Sequence, residues 1–400
     1  LGADYFALTG AQIFDGTQFH EDHAVIVQSD KIIDLIARGQ LDSSIKIIDL
    51  GGGFLCPGFI DAQVNGGGGI MLNDAPIVQT MQHIAGAHRP LGTTSLLPTL
   101  ISDTQSMTNR AIEATIEAIG QVEGIAGLHL EGPHLAPARK GAHQAHFMRP
   151  MTDEDVERFI HAAKQIDTLL LTVAAEQITV EQVEQLTAHH IIISIGHSDA
   201  SYDQAYALFE AGARGATHLF NAMSPLTSRQ PGVVGAALDH GDVWCGIIAD
   251  GHHVDAASLR IALRAKLGTG GQGRLFFVSD AMALAGTKLN HFILNDRRIE
   301  RHDMGAGVCS KLTLEDGTLA GSDLDMLSSV RFGVERLGLG LEQALAQATS
   351  YPAQFLQLSD RGFIVKGLRA DFVHLDNELQ IKASWVSGQH QASLNYSERT

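Results

Sequence analysis

The sequence predicts an α/β protein, a (β/α)8 TIM-type barrel carrying a small β-sandwich domain built from both ends of the chain. Three observations predict it. Eight short apolar runs alternate with helix-length amphipathic segments between residues 57 and 361, the rhythm of parallel strands joined by crossover helices. Residues 1–56 and 362–400 instead alternate β-rich pieces with Gly and Asp turns. His and carboxylate residues stand at the C-terminal ends of six of the eight runs, where barrels of this type carry their sites.

The elements follow in order. "YFALTGAQIF", "HAVIVQSDKIIDLIA" and "IKIIDLGGGFL" read as the first part of the small domain, with no room for a long helix. The eight barrel runs are "GFIDAQ", "TTSLLPT", "IAGLHLE", "LLLTVAAE", "IIISIGH", "RGATHLF", "VWCGIIAD" and "RLFFVSD". Between them "DTQSMTNRAIEATIEAIGQ", "TDEDVERFIHAAKQ", "TVEQVEQLTAHH", "SYDQAYALFEAG" and "AASLRIALRAKLG" read as helices, several opening on a Ser, Thr or Asp able to cap the first turn. After a last helical stretch at "LEQALAQATSYPAQFL", the tail "GFIVKGLRADFVHLDNELQIKASWVSGQ" returns to strands and turns and completes the small domain.

Composition narrows the function. A formal charge of −17 argues against a nucleic-acid or anionic-membrane partner, because phosphate backbones are bound by clustered Lys and Arg. Cys56, Cys245 and Cys309 are widely spaced and form no C-x-x-C pair, so neither a disulfide framework nor a zinc ribbon is indicated. With no secretory leader in "LGADYFALTG" and no membrane-length apolar run, a reducing cytoplasm is the expected compartment.

The strand ends carry Gln63 with Asn65, Glu131, Glu176, His197, His218, Asp250 with His252 and His253, and Asp280. Taken singly, each has a bland reading: a capping carboxylate, or a hydrogen-bonded structural His. Jointly, Glu131, His197 and His218 end runs three, five and six, which a barrel gathers around one mouth. Two imidazoles and a carboxylate make a catalytic zinc set, with a fourth position left for water. Asp280, ending run eight, is placed to act as general base and then general acid, its alternative being a helix cap.

The motifs "PGFIDAQVNGGGG", "HLEGPHL", "KGAHQ", "GHSDA", "THLFNAM", "SRQPG", "GIIADGHHVD", "VSDAM" and "LAGSDLDM" together resemble the N-acetylglucosamine-6-phosphate deacetylase family of the amidohydrolase superfamily. The resemblance runs from the first barrel strand to the small-domain tail. It implies hydrolysis of the N-acetyl group of N-acetyl-D-glucosamine 6-phosphate to D-glucosamine 6-phosphate and acetate. Most amidohydrolases place His-x-His where this chain has Gln63 and Asn65. A neutral amide replaces imidazole poorly at a metal, so one divalent ion per subunit is expected: zinc, with iron, cobalt or manganese as alternatives.

The same resemblance assigns the substrate contacts. It puts the phosphate near Arg229, Asn221, Ala222 and His253, and the substrate amide near Ala142 and His143, with His143 a catalytic donor to the carbonyl oxygen. Leu319, Ala320 and Gly321 close on the sugar, and Gln63 faces the substrate or the vacant metal position. His252 departs from the family pattern, and a homodimer is the expected assembly. Two other readings stay open at this point: the same chemistry on N-acetylgalactosamine 6-phosphate, and a non-catalytic scaffold that has lost its first-strand histidines.

Overall fold

The computed structural model describes residues 5–268, 274–305 and 308–391; the outer ends of both expected small-domain segments, residues 1–4 and 392–400, lie outside it. Eight parallel strands form the barrel wall: β1 (Phe59–Val64), β2 (Thr93–Ile101), β3 (Leu128–Glu131), β4 (Leu169–Val173), β5 (Ile192–Ile195), β6 (Gly215–Ala216), β7 (Trp244–Ile247) and β8 (Leu275–Phe277). They pair in simple sequence order from β1 to β8. Each is buried throughout, because helices cover the outside and side chains fill the inside.

The seam between β8 and β1 has no regular ladder. A side chain bridges it instead. Asp61 Oδ1 accepts the backbone N–H of Gln63 at 3.2 Å and of Ser279 at 3.1 Å. Just beyond, the Asp280 N–H donates to Gln63 O and the Asn65 N–H to Ala281 O. Burial pushes the Asp61 carboxyl up to about 7. The seam therefore brings the ends of the first and eighth strands together, which is where Gln63, Asn65 and Asp280 sit.

Helices cover the barrel wall where hydrophobic period and caps agree. Thr104, Thr152, Thr179 and Ser201 each accept the backbone N–H three residues on, opening the helices Gln105–Ala118, Asp153–Ala163, Val180–Ala188 and Tyr202–Glu210. The helix Gly232–Asp239 gives no such signal, being buried almost all round and interrupted by glycine. At the barrel floor the helix Ser350–Phe355 packs its last residue against Gly215, where a Cβ would stand 2.7 Å from the Phe355 ring. Only glycine fits there.

The chain ends do build one small domain. A four-stranded sheet from residues 5–49 faces a six-stranded sheet that mixes residues 12–14, 19–20 and 54–57 with 372–375, 381–386 and 389–391. Phe6, Leu8, Ile13, Val25, Leu55, Phe372 and Trp385 fill the space between. An inserted element has no counterpart in the sequence reading. A three-stranded antiparallel sheet, His291–Leu294, Arg297–His302 and Lys311–Leu314, is inserted after β8. Among the described residues no helix is long and apolar enough to cross a membrane.

A buried ionic knot holds the base of the loop that follows β3. Asp155 is 1% exposed and accepts from Arg149, Arg158 and Thr152, while the Arg149 N–H donates to Pro133 O at the loop's start. Burial alone would raise the Asp155 carboxyl, but Arg149, the Thr152 amide and Arg158 outweigh it and hold the group well below the usual range. A depressed folded-state pKa stabilises above the unfolded value of about 3.9 and loses that contribution as pH falls below it. Asp155→Asn is therefore expected to cost about 2–3 kcal/mol at pH 7, at the lower end because Arg149 is partly solvated. In urea titrations the gap to wild type should narrow below about pH 4; a gap constant down to pH 3 would show that the charge is not its origin.

Candidate active site

The site is built where strands stop abruptly. His197 and His218 follow β5 and β6 with φ of +47° and +31°, and Asp280 follows β8 with φ of +52°. Left-handed backbone is costly for residues with a Cβ and persists where surrounding contacts enforce it. Three non-glycine residues adopting it around one mouth mark a constrained cluster. Its glutamate, Glu131, ends β3 itself and is 2% exposed.

Glu131 Oε1 lies 3.0 Å from His218 Nε2 and 3.3 Å from His197 Nε2, and the two Nε2 atoms are 3.1 Å apart. Tetrahedral coordination with bonds of about 2.0–2.1 Å separates ligands by roughly 3.3 Å, so this triangle fits one cation. The tautomer agrees at His197, whose Nδ1 faces the Arg139 carbonyl at 2.8 Å. Nδ1 is thus the donor, and Nε2 keeps its lone pair for the triangle.

His143 completes the cluster in a different role. Glu131, His143 and His197 also have ligand atoms close enough to share a metal, but His143 Nε2 is 3.7 Å from Glu131 Oε2. The Ser102 N–H donates to His143 Nδ1 at 3.2 Å. A neutral ring accepting at Nδ1 carries its proton on Nε2, which then points into the cluster as a donor. The chemistry of the ring favours the Glu131, His197 and His218 set. The loop bearing His143 is fixed from three sides, by Ser102, by Arg139 paired with Asp199 at 2.7 Å, and by Arg297 of the inserted sheet, which donates to Ala142 O. At 4% exposure His143 is not a mobile surface group.

The two amides span the acids. Gln63 Nε2 donates to Glu131 Oε1 at 3.0 Å and to Asp280 Oδ1 at 3.2 Å, and Asn65 Nδ2 donates to Asp280 Oδ1 at 2.7 Å. No protein hydrogen bond reaches Asp280 Oδ2 among the described residues. Burial and then the charge of Glu131 raise the Asp280 carboxyl. Burial also acts upward on Glu131, but His143, His197 and His218 outweigh it and keep that carboxyl well below its ordinary value. Two carboxyls with separated proton affinities therefore share one mouth.

The outer residues are arranged more loosely. His253 is held through Nδ1 by Asp250 at 2.6 Å and lies close enough to Asp280 for its charge to oppose the rise in that group's pKa. Asn221 donates to the carbonyls of His218 and Leu219, and Ala222 takes a φ of +49°. Ala320 is buried beside Leu319 and Gly321 at the end of the inserted sheet. Arg229 is exposed in a loop and makes no ion pair with the cluster among the described residues. Glu176 turns out to be a brace, accepting from the Ser198 hydroxyl and the Asp199 N–H. His252 is committed to the Cys309 carbonyl at 2.7 Å. Ser102 and Arg297 carried no signal in the sequence, since each acts through a contact far along the chain.

Comparison with known proteins adds a second line of observation. A model of the amidohydrolase family matches residues 54–397, and one of the NagA composite domain matches residues 5–55. The chain is 43% identical over 340 residues to an N-acetylgalactosamine-6-phosphate deacetylase of Shewanella sp. (strain ANA-3), covering 84% of this chain and 83% of the relative. It is 35% identical over 389 residues to an N-acetylglucosamine-6-phosphate deacetylase of Haemophilus influenzae, covering 96% and 98%. The crystal structure of N-acetylglucosamine-6-phosphate deacetylase from Pasteurella multocida superposes with a TM-score of 0.90 at 32% identity, covering 97% of this chain and 100% of that one. The structure of a point mutant of the deacetylase from Mycobacterium smegmatis, in complex with N-acetyl-D-glucosamine-6-phosphate, gives 0.87 at 30% identity, covering 96% and 99%.

Proposed function

This chain belongs to the amidohydrolase family, and we propose that it hydrolyses the N-acetyl group of N-acetyl-D-glucosamine 6-phosphate, releasing acetate and D-glucosamine 6-phosphate. The observation that carries this is the buried Glu131, His197 and His218 triangle with an amide-held Asp280 beside it. The triangle is the metal site, zinc by its donor set, with iron, cobalt or manganese as alternatives. When bound there, a divalent cation supplies Lewis-acid polarisation of the acetamide carbonyl and acidifies water.

Asp280 takes the proton of the attacking water on its free Oδ2, and its raised proton affinity lets it hold that proton. It then delivers the proton to the amide nitrogen as the C–N bond breaks. Gln63 and Asn65 fix Oδ1 and keep the carboxylate aimed. His143 donates from Nε2 to the carbonyl oxygen as negative charge grows there. We assign the phosphate to Arg229, His253, Asn221 and Ala222, the acetamide to Ala142, His143 and Gln63, and the sugar face to Leu319, Ala320 and Gly321. Arg suits phosphate because its fork of donors matches the anionic oxygens.

A second substrate has a specific observation behind it: the relative at 43% identity is an N-acetylgalactosamine-6-phosphate deacetylase. Acetate release from both epimers, measured with and without chelator, tests both readings. We expect measurable kcat/KM on the glucosamine epimer, abolished by metal removal and restored by zinc. A preference for the galactosamine epimer would transfer the assignment, and chelator-resistant turnover would refute the metal site. We place the chain in the cytoplasm, which its free cysteines suit. We also take it to act as a homodimer, with the exposed Leu289, Ile293, Met304 and Val308 on and beside the inserted sheet as the apolar surface available for pairing.

A further inference from the structure

A polar layer lies inside the barrel directly beneath the candidate metal site. Barrel interiors are ordinarily filled by layers of branched apolar side chains, and Leu97, Leu170 and Ile192 provide one here. Two residues further along the same strands, and so on the same face, stand Thr99, Thr172 and Ser194. His129 joins them from β3, and Thr217 from the residue before the ligand His218. All five are buried, Thr99, His129 and Thr172 at 0% exposure. Burying so many polar groups is costly unless every one is paired.

They are paired in one continuous chain. Thr217 Oγ1 donates to Ser194 Oγ at 2.7 Å, Thr172 Oγ1 is 2.7 Å from Thr217 Oγ1, and His129 Nε2 is 2.8 Å from Thr172 Oγ1. His129 Nδ1 is 3.1 Å from Thr99 Oγ1, which accepts the Val64 N–H at 2.9 Å. Each threonine has one hydroxyl hydrogen, so the direction is fixed. Thr217 spends its hydrogen on Ser194, hence Thr172 donates to Thr217 and His129 must donate to Thr172 from Nε2. Its Nδ1 then accepts from Thr99, whose hydroxyl stands 3.1 Å from that nitrogen and 3.3 Å from its other acceptor, Leu97 O. The imidazole joins the hydroxyls of β2 and β4 by donating from one nitrogen and accepting at the other. Both its nitrogens are committed, which excludes it as a metal ligand.

We infer that His129 is a positioning residue for the metal site, tying six strands, β1 to β6, together at the depth from which the ligands emerge. Val64 lies between Gln63 and Asn65, His129 two residues before Glu131, Thr172 beside Glu131 in the ladder, and Thr217 next to His218. Slack in this layer passes directly to the triangle. The inference rests on the metal-dependent reading above.

The test uses purified His129→Leu, Thr172→Val and His129→Gln, each stripped of metal and titrated with zinc against a chromophoric chelator, with cobalt spectra recorded on the loaded proteins. His129→Leu and Thr172→Val are each expected to weaken zinc binding about 10–100-fold, the range seen when outer partners of a ligand set are lost. Both should also change the cobalt absorption, while His129→Gln, which keeps a donor and an acceptor, recovers most of the loss. Zinc affinity within about twofold of wild type and an unchanged cobalt spectrum in both cutting variants would overturn the inference. If His129→Leu does not fold, Thr172→Val and His129→Gln decide between the two results. A wild-type protein that binds no stoichiometric metal would instead refute the metal-dependent function itself, and this inference with it.

Discussion

Asp280→Asn is expected to lower kcat by about 10²–10⁴-fold, the range for loss of a positioned general acid and base, while leaving metal content and thermal stability close to wild type. The substitution isolates the proton-transfer role. Asn65 and Gln63 both donate to Oδ1, and an asparagine Oδ1 still accepts from them, more weakly than a carboxylate but in the same geometry, so the side chain stays in place. What disappears is the basic Oδ2 and the negative charge. KM should change little, since the lost interaction belongs to proton transfer and not to ground-state binding. Turnover within about tenfold of wild type, measured by acetate release on protein of verified metal content, would remove Asp280 from the mechanism.

The separation of roles within the mouth explains why two neutral amides stand where a histidine pair is usual. A second cation beside Asp280 would hold that carboxylate ionised and poorly able to retain a proton. Gln63 and Asn65 offer hydrogen-bond donors without a full charge, so burial and the neighbouring Glu131 can raise Asp280. The departure from His-x-His is thus consistent with one cation and a carboxylate kept available for proton transfer, while the presence of Glu131, His197, His218 and Asp280 together weighs against the scaffold reading.

Much of this was legible in the sequence because it depends on period and position. Apolar runs buried on both faces and Thr or Ser caps announce parallel strands and their helices, and strand ends in a barrel converge by topology, so Glu131, His197, His218 and Asp280 could be grouped without coordinates. Glu176 was at an equally suggestive position, yet its carboxylate is spent on Ser198 and Asp199, a choice made by side-chain direction that spacing does not encode. The inserted three-stranded sheet escaped for a related reason: "HFILNDRRIERH" carries charge along both faces and little apolar alternation. Its contribution, Arg297 gripping the loop of His143, is a contact over 155 residues of sequence separation. His129 reads from sequence as one more strand residue in "GLHLEGP", and only the hydroxyls across the barrel show what it does.

The sharpest remaining test separates the two overlapping ligand sets that share Glu131 and His197. His218→Asn and His143→Asn make the same chemical change at both positions, since asparagine reproduces the Nδ1 side of the ring and removes Nε2. At His218 the missing atom is a proposed ligand. Loss of an outer partner alone costs about 10–100-fold in affinity, so His218→Asn should weaken metal binding beyond that range, abolish activity at ordinary zinc concentrations, and recover little on adding metal. At His143 the missing atom is the proposed donor to the substrate oxygen, and the new Oδ1 can still accept the Ser102 N–H that now reaches Nδ1. His143→Asn should therefore keep its metal and lose about 10²–10³-fold in kcat, the cost of removing one oxyanion donor. Elemental analysis of the two purified variants beside their kinetics reads the difference directly. A metal-depleted His143→Asn with a metal-replete His218→Asn would move the cation to the other triangle and make His218 the group that touches substrate.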